Sequence, residues 1–153
     1  MDMSNWSTSS ILLAGAAGGG GFVGLAYAFP RRTRGILVRG VIVTALCYVY
    51  FAVRAHAGPT LIAGEVGGVA IYGALALRGL RGSVWWIAVA WALHPIWDVA
   101  VQLVGPAREF APTVFATACL TWDPVVAIVI AAAALAQSRR HLNRDPASAA
   151  RAG

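Results

Sequence analysis

Lysine is missing altogether and acidic side chains are scarce: the 153 residues hold twelve basic groups, every one an arginine, against six Asp and Glu. Charged residues make up 12% of the chain, too few to clothe a soluble domain, while 59% are hydrophobic and the mean hydropathy is +0.69. That deficit excludes an ordinary water-soluble globule and predicts an all-α integral membrane protein. A net charge of +6 invites a nucleic-acid partner, but the arginines fall between apolar runs, where membrane topology accounts for them. No nucleic-acid partner is expected. The uniform preference for arginine extends to loop positions with no bidentate task, so it reads as coding bias. Cysteine is nearly absent too: Cys47 and Cys119 both lie inside apolar runs, as small buried hydrophobes that offer neither a disulfide framework nor a thiolate metal site. Soluble-type repeats, coiled-coil heptads and glycine-rich phosphate loops do not occur, which removes those classes of architecture and ligand.

What the chain has in abundance is apolar length. A span needs about 20 residues to cross a hydrocarbon core of roughly 30 Å. Five stretches approach or exceed that length: residues 10–29, 36–57, 60–77, 84–105 and 112–136. Residues 1–137 are thus expected to form one five-helix transmembrane domain, followed by a basic, poorly ordered cytoplasmic tail over 138–153. No basic residue precedes the first run, so it lacks the charged start of a secretory signal peptide and is kept as a true span. Arg31, Arg32, Arg34, Arg78, Arg81, Arg139, Arg140, Arg144 and Arg151 fall on one side of this arrangement, with Arg54 and Arg108 on the other. The excess of positive charge belongs in the cytoplasm, which sets the amino terminus outside and the carboxyl terminus inside. Gly15, Gly18 to Gly21 and Gly24 smooth the first helix for close packing against a neighbouring span, with a homo-oligomer seam as the second use of the same surface.

Ionisable residues inside these spans are costly and therefore informative. The fourth run carries His94-Pro95-Ile96-Trp97-Asp98. His94 and Asp98 are four apart, so on a helix they share a stripe with Ile87, Trp91 and Val101, and Pro95 between them loosens the backbone. Glu65 lies in the third span beside Gly64, Gly67 and Gly68, Asp123 in the fifth before Pro124, and Arg54 one turn below the outer end of the second. Counted at about 1.5 Å per residue, all of these converge in the outer half of the membrane. The reading predicts a polar pocket between spans two to five, open to the outer face or the outer leaflet. Each member also has a plainer use: Asp98 as an ion-pair partner that fixes packing, Asp123 as compensation for a proline-kinked backbone, Trp91, Trp97 and Trp122 as packing residues. Their conjunction favours a site, in which burial disfavours charge, pairing restores it, and one acid stays protonated beside an ionised base.

The run Trp91-Ala-Leu-His94-Pro95-Ile-Trp97-Asp98, with Cys119 and Trp122-Asp123 in the last helix, resembles an uncharacterised family of small bacterial multi-pass membrane proteins. Their penultimate helix carries a His-Pro-x-Trp-Asp motif, and the likeness covers about the last third of the chain. It implies a bacterial inner (cytoplasmic) membrane location and no activity. Members often continue with paired histidines, where this chain has Val101-Gln102, which speaks against a metal. A looser similarity of layout links it to membrane isoprenoid and sterol cyclases and isomerases, which use carboxylates in a helical bundle as acids.

Three functions follow. The leading one is an enzyme, of isomerase or cyclase type, acting by acid/base chemistry on a lipidic or isoprenoid substrate. In it Asp98 or Asp123 donates the proton, Glu65 or His94 acts as base or orienter, and Trp91, Trp97, Trp122, Tyr48 and Arg54 bind the substrate. The others are a proton-coupled carrier or channel and a non-catalytic subunit of a membrane complex. Membrane lipid and a lipophilic small molecule are the expected partners. No cofactor is expected, and no metal, because His94, Asp98, Asp123 and Glu65 come from three helices with only one short spacing.

Overall fold

The computed structural model describes residues 6–144, with side chains to residue 140. The chain folds into five α-helices: α1 (Thr8–Ala28), α2 (Thr33–Arg54), α3 (Pro59–Arg81), α4 (Trp85–Trp97) and α5 (Thr113–Arg144). A π-helical segment, Asp98–Leu103, continues α4, and a short 3-10 turn, Pro106–Glu109, leads toward α5. No strand occurs among the described residues. Taking α4 with its π extension as one rod, Trp85–Leu103, all five helices are long and apolar enough to cross a membrane.

The helix ends follow from local chemistry. Ser7 caps α1 by accepting a bond from the Ser10 amide at 3.2 Å. Pro30 stops that helix, and the Thr33 hydroxyl bonds back to the carbonyls of Ala26 and Phe29, both at 3.1 Å, fixing the hinge into α2. At the far end of α2, His56 adopts a left-handed φ of 53°. The Ala57 amide reaches the Ala52 carbonyl at 2.9 Å and the His56 amide the Val53 carbonyl at 3.1 Å, which is a Schellman termination with histidine in the seat glycine usually takes. Pro59 then opens α3 at its first position. The expected fifth span ends at residue 136, but α5 runs on to Arg144. Residues 145–153 of the expected tail lie outside the described residues.

Neighbours in space are α1 on α5, α5 on α4, α4 on α3 and α3 on α2, with α2 closing on α1 and reaching across to α4. The apolar core runs from the middle of the bundle toward the arginine-rich end: Leu37, Val38, Val41, Ile87, Val126 and Ile130 are all at most 2% exposed. Between hydrocarbon and hydrocarbon there is no hydrophobic driving force, so a bundle in lipid is held by close packing and polar links. Close approach is most evident at α1 and α5. A Cβ built on Gly15 would meet the Ala118 carbonyl, and one on Gly19 would sit 2.7 Å from the Trp122 carbonyl oxygen. These glycines serve internal packing, whereas Gly20, Gly21 and Gly24 have nothing of the chain near them. At the arginine-rich end, the Arg34 guanidinium donates to the Gly82 carbonyl at 2.9 Å, and Arg78 lies 4.6 Å over the Trp86 ring.

Candidate functional site

His94 is completely buried on α4. Its Nδ1 sits 2.9 Å from Oδ2 of Asp123 on α5 and 3.4 Å from Oδ2 of Asp98, one turn on. The hydrogen bond to Asp123 holds its proton either on Nδ1 or on the carboxyl, while the Asp98 contact is of ion-pair length without hydrogen-bond geometry. Asp98 and Asp123 are as buried as the histidine. Both oxygens of Asp98, Oδ1 of Asp123 and Nε2 of His94 have no hydrogen-bond partner among the described residues. That is unusual, because a buried polar atom without a partner costs about 1–3 kcal/mol.

Aromatic rings wall this cluster. Tyr72 of α3 lies 5.0 Å from the imidazole, centroid to centroid, and Tyr48 of α2 lies 6.0 Å away with its hydroxyl buried and unpartnered among the described residues. Trp97 stands edge-on to Tyr72 and covers Gly68. A narrow gap between Tyr48, Glu65, Tyr72, His94 and Trp97 is too small to admit a water molecule. The expected open polar pocket is therefore a closed, dry cluster. Large side chains from four helices fill the space that the sequence left to solvent.

The passage from α to π geometry after Trp97 decides which residues face inward. The Asp98 amide is shared between the carbonyls of His94 and Pro95, and the Val104 amide bonds to Val99, five residues back. The wider π turn brings Gln102 inside, 2% exposed, where a regular helix was expected to turn Val101, which is half-buried. Gln102 Nε2 donates to Glu65 Oε1 at 2.8 Å. Glu65 thus lines the same gap as His94 but is held by Gln102 rather than by the histidine.

Of the residues expected here, His94, Asp98 and Asp123 come together, with Glu65 one step removed. Tyr48 and Trp97 lie on the wall. Trp91 is turned to α2, donating its indole N–H to the Leu37 carbonyl at 3.2 Å. Trp122 faces α1, stacked near Phe22 and over Gly18, because consecutive residues on a helix point about 100° apart and Asp123 takes the inward direction. Arg54, the last residue of α2, is exposed and makes no ion pair among the described residues, so it is no partner of the buried acids. Sequence reading missed Tyr72 and Gln102. Tyr72 is seven residues after Glu65 and Gln102 four after Asp98, so helical spacing alone was the available signal.

Three donor atoms, one imidazole nitrogen and two carboxylate oxygens, lie within 4.8 Å of one another. Such a set can share a proton or hold a cation. Comparison with known proteins adds a family and nothing more: the model of a family described as Family of unknown function (DUF6010) matches residues 9–136. No curated protein and no solved structure matches the chain.

Proposed function

The chain belongs to this family of unknown function (DUF6010), and from the site alone we propose that it is an integral membrane enzyme that performs acid/base chemistry on a lipophilic substrate. Leu13, Val43, Leu46, Ile71, Ile96 and Ile128 lie exposed around the bundle, an outer surface suited to lipid and ill suited to water. Among residues 6–144, nine arginines sit at one end of the helices and only Arg54 and Arg108 at the other. That asymmetry supports an orientation with the amino terminus outside and the arginine-rich end in the cytoplasm. The bacterial inner membrane is the location implied by the His-Pro-x-Trp-Asp resemblance.

One observation carries the reading. Two carboxylates converge on a single imidazole nitrogen deep in the bundle, and three of their four oxygens have no partner among the described residues. A pair kept only to fix helix packing would be saturated. With all three groups ionised, the cluster carries one more negative than positive charge, which an apolar interior tolerates only if another positive charge is taken up. A proton so held and released is what double-bond isomerisation or cyclisation needs, and the rings of Tyr48, Tyr72 and Trp97 suit the carbocation that protonation makes.

Access is from the lipid. An apolar crevice of about 470 Å³ lies between α1, α2 and α5, with Ile11, Ala14, Phe51, Phe115, Ala118 and Trp122 among its walls. Phe115 stands edge-on to Tyr48 at 5.4 Å, so two aromatic rings separate the crevice from His94. A transport path is disfavoured by the apolar core between the cluster and the arginine-rich end.

The test is conversion of a total lipid extract of the host membrane by the purified full chain, followed by chromatography and mass spectrometry for products of unchanged mass and altered retention. Wild type is expected to consume one lipid class, and Asp98→Asn and Asp123→Asn to lose the activity while keeping wild-type helicity and elution. Equal conversion by correctly folded variants would sink the enzyme. Loss of a larger assembly instead of turnover would favour the subunit reading.

A further inference from the structure

We infer that His94, Asp98 and Asp123 form an intramembrane binding site for a divalent first-row transition metal ion. The inference rests on the reading of this cluster as the reaction centre and names the cofactor it holds.

Geometry comes first. Ions of this class bind imidazole nitrogen and carboxylate oxygen at about 2.0–2.2 Å. Donor atoms around such an ion are therefore separated by about 3 Å at right angles and about 3.4 Å at the tetrahedral angle. His94 Nδ1 lies 2.9 Å from one carboxylate oxygen and 3.4 Å from the other. All three donors fit within 4.8 Å, and all three residues are fully buried.

The second observation is independent of those distances. A proton on Nδ1 satisfies one carboxylate oxygen. It leaves both oxygens of Asp98 and one of Asp123 buried with no donor among the described residues, and the Tyr48 hydroxyl beside them is unpartnered as well. No nearby amide, guanidinium or ammonium serves them, since the bundle's arginines lie at its ends. Unserved carboxylates of this kind are what a cation coordinates.

Charge fixes the valence. Two ionised carboxylates and a neutral imidazole sum to two negative charges, which one divalent ion cancels and one proton does not. The donor set fixes the class. An imidazole nitrogen disfavours Ca²⁺ and Mg²⁺, and the lack of thiolate among the three donors disfavours Cu⁺, leaving the divalent first-row ions, Zn²⁺, Fe²⁺ and Mn²⁺ among them. Three protein ligands leave at least one coordination position for a substrate oxygen, reached only when the Tyr48 and Tyr72 rings part, since the gap on that side does not admit a water. With the ion held, the carboxylates act as ligands, and the transferable proton belongs to that oxygen.

Sequence concealed this site because the two ligands of α4 are a helical pair but the third lies 25 residues beyond Asp98, on another helix. His94 and Asp98 stand one helical turn apart on one face, and the π turn that starts at Asp98 alters only the residues after it.

The experiment uses the full chain, expressed in medium supplemented with Zn²⁺, Fe²⁺ and Mn²⁺ and purified with its affinity tag removed. Metal is measured per chain by plasma mass spectrometry, and Co²⁺ is then added to metal-stripped protein as a visible probe. Wild type is expected to retain about one ion per chain. Asp98→Asn with Asp123→Asn should lose it, and Co²⁺ should give d–d bands in wild type that Zn²⁺ abolishes. The Co²⁺ titration of wild type keeps the test valid even where a variant folds poorly. Wild type that carries no metal and gives no Co²⁺ bands would overturn the inference. If that metal-free protein still converts lipid, the proton-based enzyme survives alone. If metal is bound and no lipid is converted, the site stands and the proposed reaction falls.

Discussion

Adjacent glycines on α1 are expected to respond with opposite sign to the same one-carbon change. A Cβ on Gly19 would lie 2.7 Å from the Trp122 carbonyl oxygen and 3.0 Å from its Cα, backbone atoms that no rotamer can move aside. Reaching ordinary contact of about 3.5 Å requires α1 and α5 to part by roughly half an ångström or more. Overpacking of this kind costs about 1–3 kcal/mol. Removing a glycine from a helix interior returns at most about 1 kcal/mol, and less if the denatured state keeps its helices. Gly19→Ala is therefore destabilising by about 1–2 kcal/mol net. No other helix among the described residues comes within 4 Å of a carbon added at Gly20, so Gly20→Ala is neutral or gains up to about 1 kcal/mol. The assay is equilibrium unfolding of the purified chain in mixed micelles with increasing dodecyl sulfate, followed by tryptophan fluorescence. Shifts of the same sign and size at the two positions would refute the packing argument. Because Asp123 follows Trp122 on α5, Gly19→Ala should also weaken whatever the cluster binds, which Gly20→Ala should not.

Gln102→Leu takes the Gln102 donor away from the buried Glu65 carboxyl and is expected to cost about 1–3 kcal/mol. Adding Glu65→Leu should recover part of that loss, and purely additive effects in the four-member cycle would mean the pair is not coupled. For topology, single cysteines at positions 81 and 108 in a background lacking Cys47 and Cys119 are expected to react with an impermeant maleimide from opposite faces of intact cells. Arg81→Cys should be protected until the cells are opened and Arg108→Cys labelled at once, and the reverse pattern would invert the proposed orientation.

The five helices were legible because length and hydropathy set them, and four of the polar residues because an acid inside an apolar run demands a partner. The helical spacing of His94 and Asp98 carried half of the cluster. The rest depended on rotation, which spacing does not fix. Asp123 and Trp122 are neighbours in sequence, so one had to turn away, and the chain alone did not say which. Glu65 and Gln102 pair because the helix passes into a π turn after Trp97, and that one-residue change of register swaps Gln102 for Val101 on the inner face. Arg54 was drawn toward the acids by depth alone, and its place at the last turn of α2 lets it leave the interior at little cost.

The links at the two ends of the bundle are unequal. At the arginine-rich end Arg34 ties α2 to the turn after α3, Arg78 clasps Trp86, and Thr33 locks the α1–α2 hinge. Toward the opposite end the cross-helix side-chain bonds lie below the tips, Gln102 to Glu65 and the Thr121 hydroxyl to the Leu12 carbonyl, and the tips themselves are joined by the His56 turn and the irregular stretch around Gly105. The molecule is in this respect a pair of tongs with a riveted base. Breathing that uncovers His94 on the side where Phe115 and Tyr48 bar the way has to spread the looser tips against only those two bonds, while the base stays clasped.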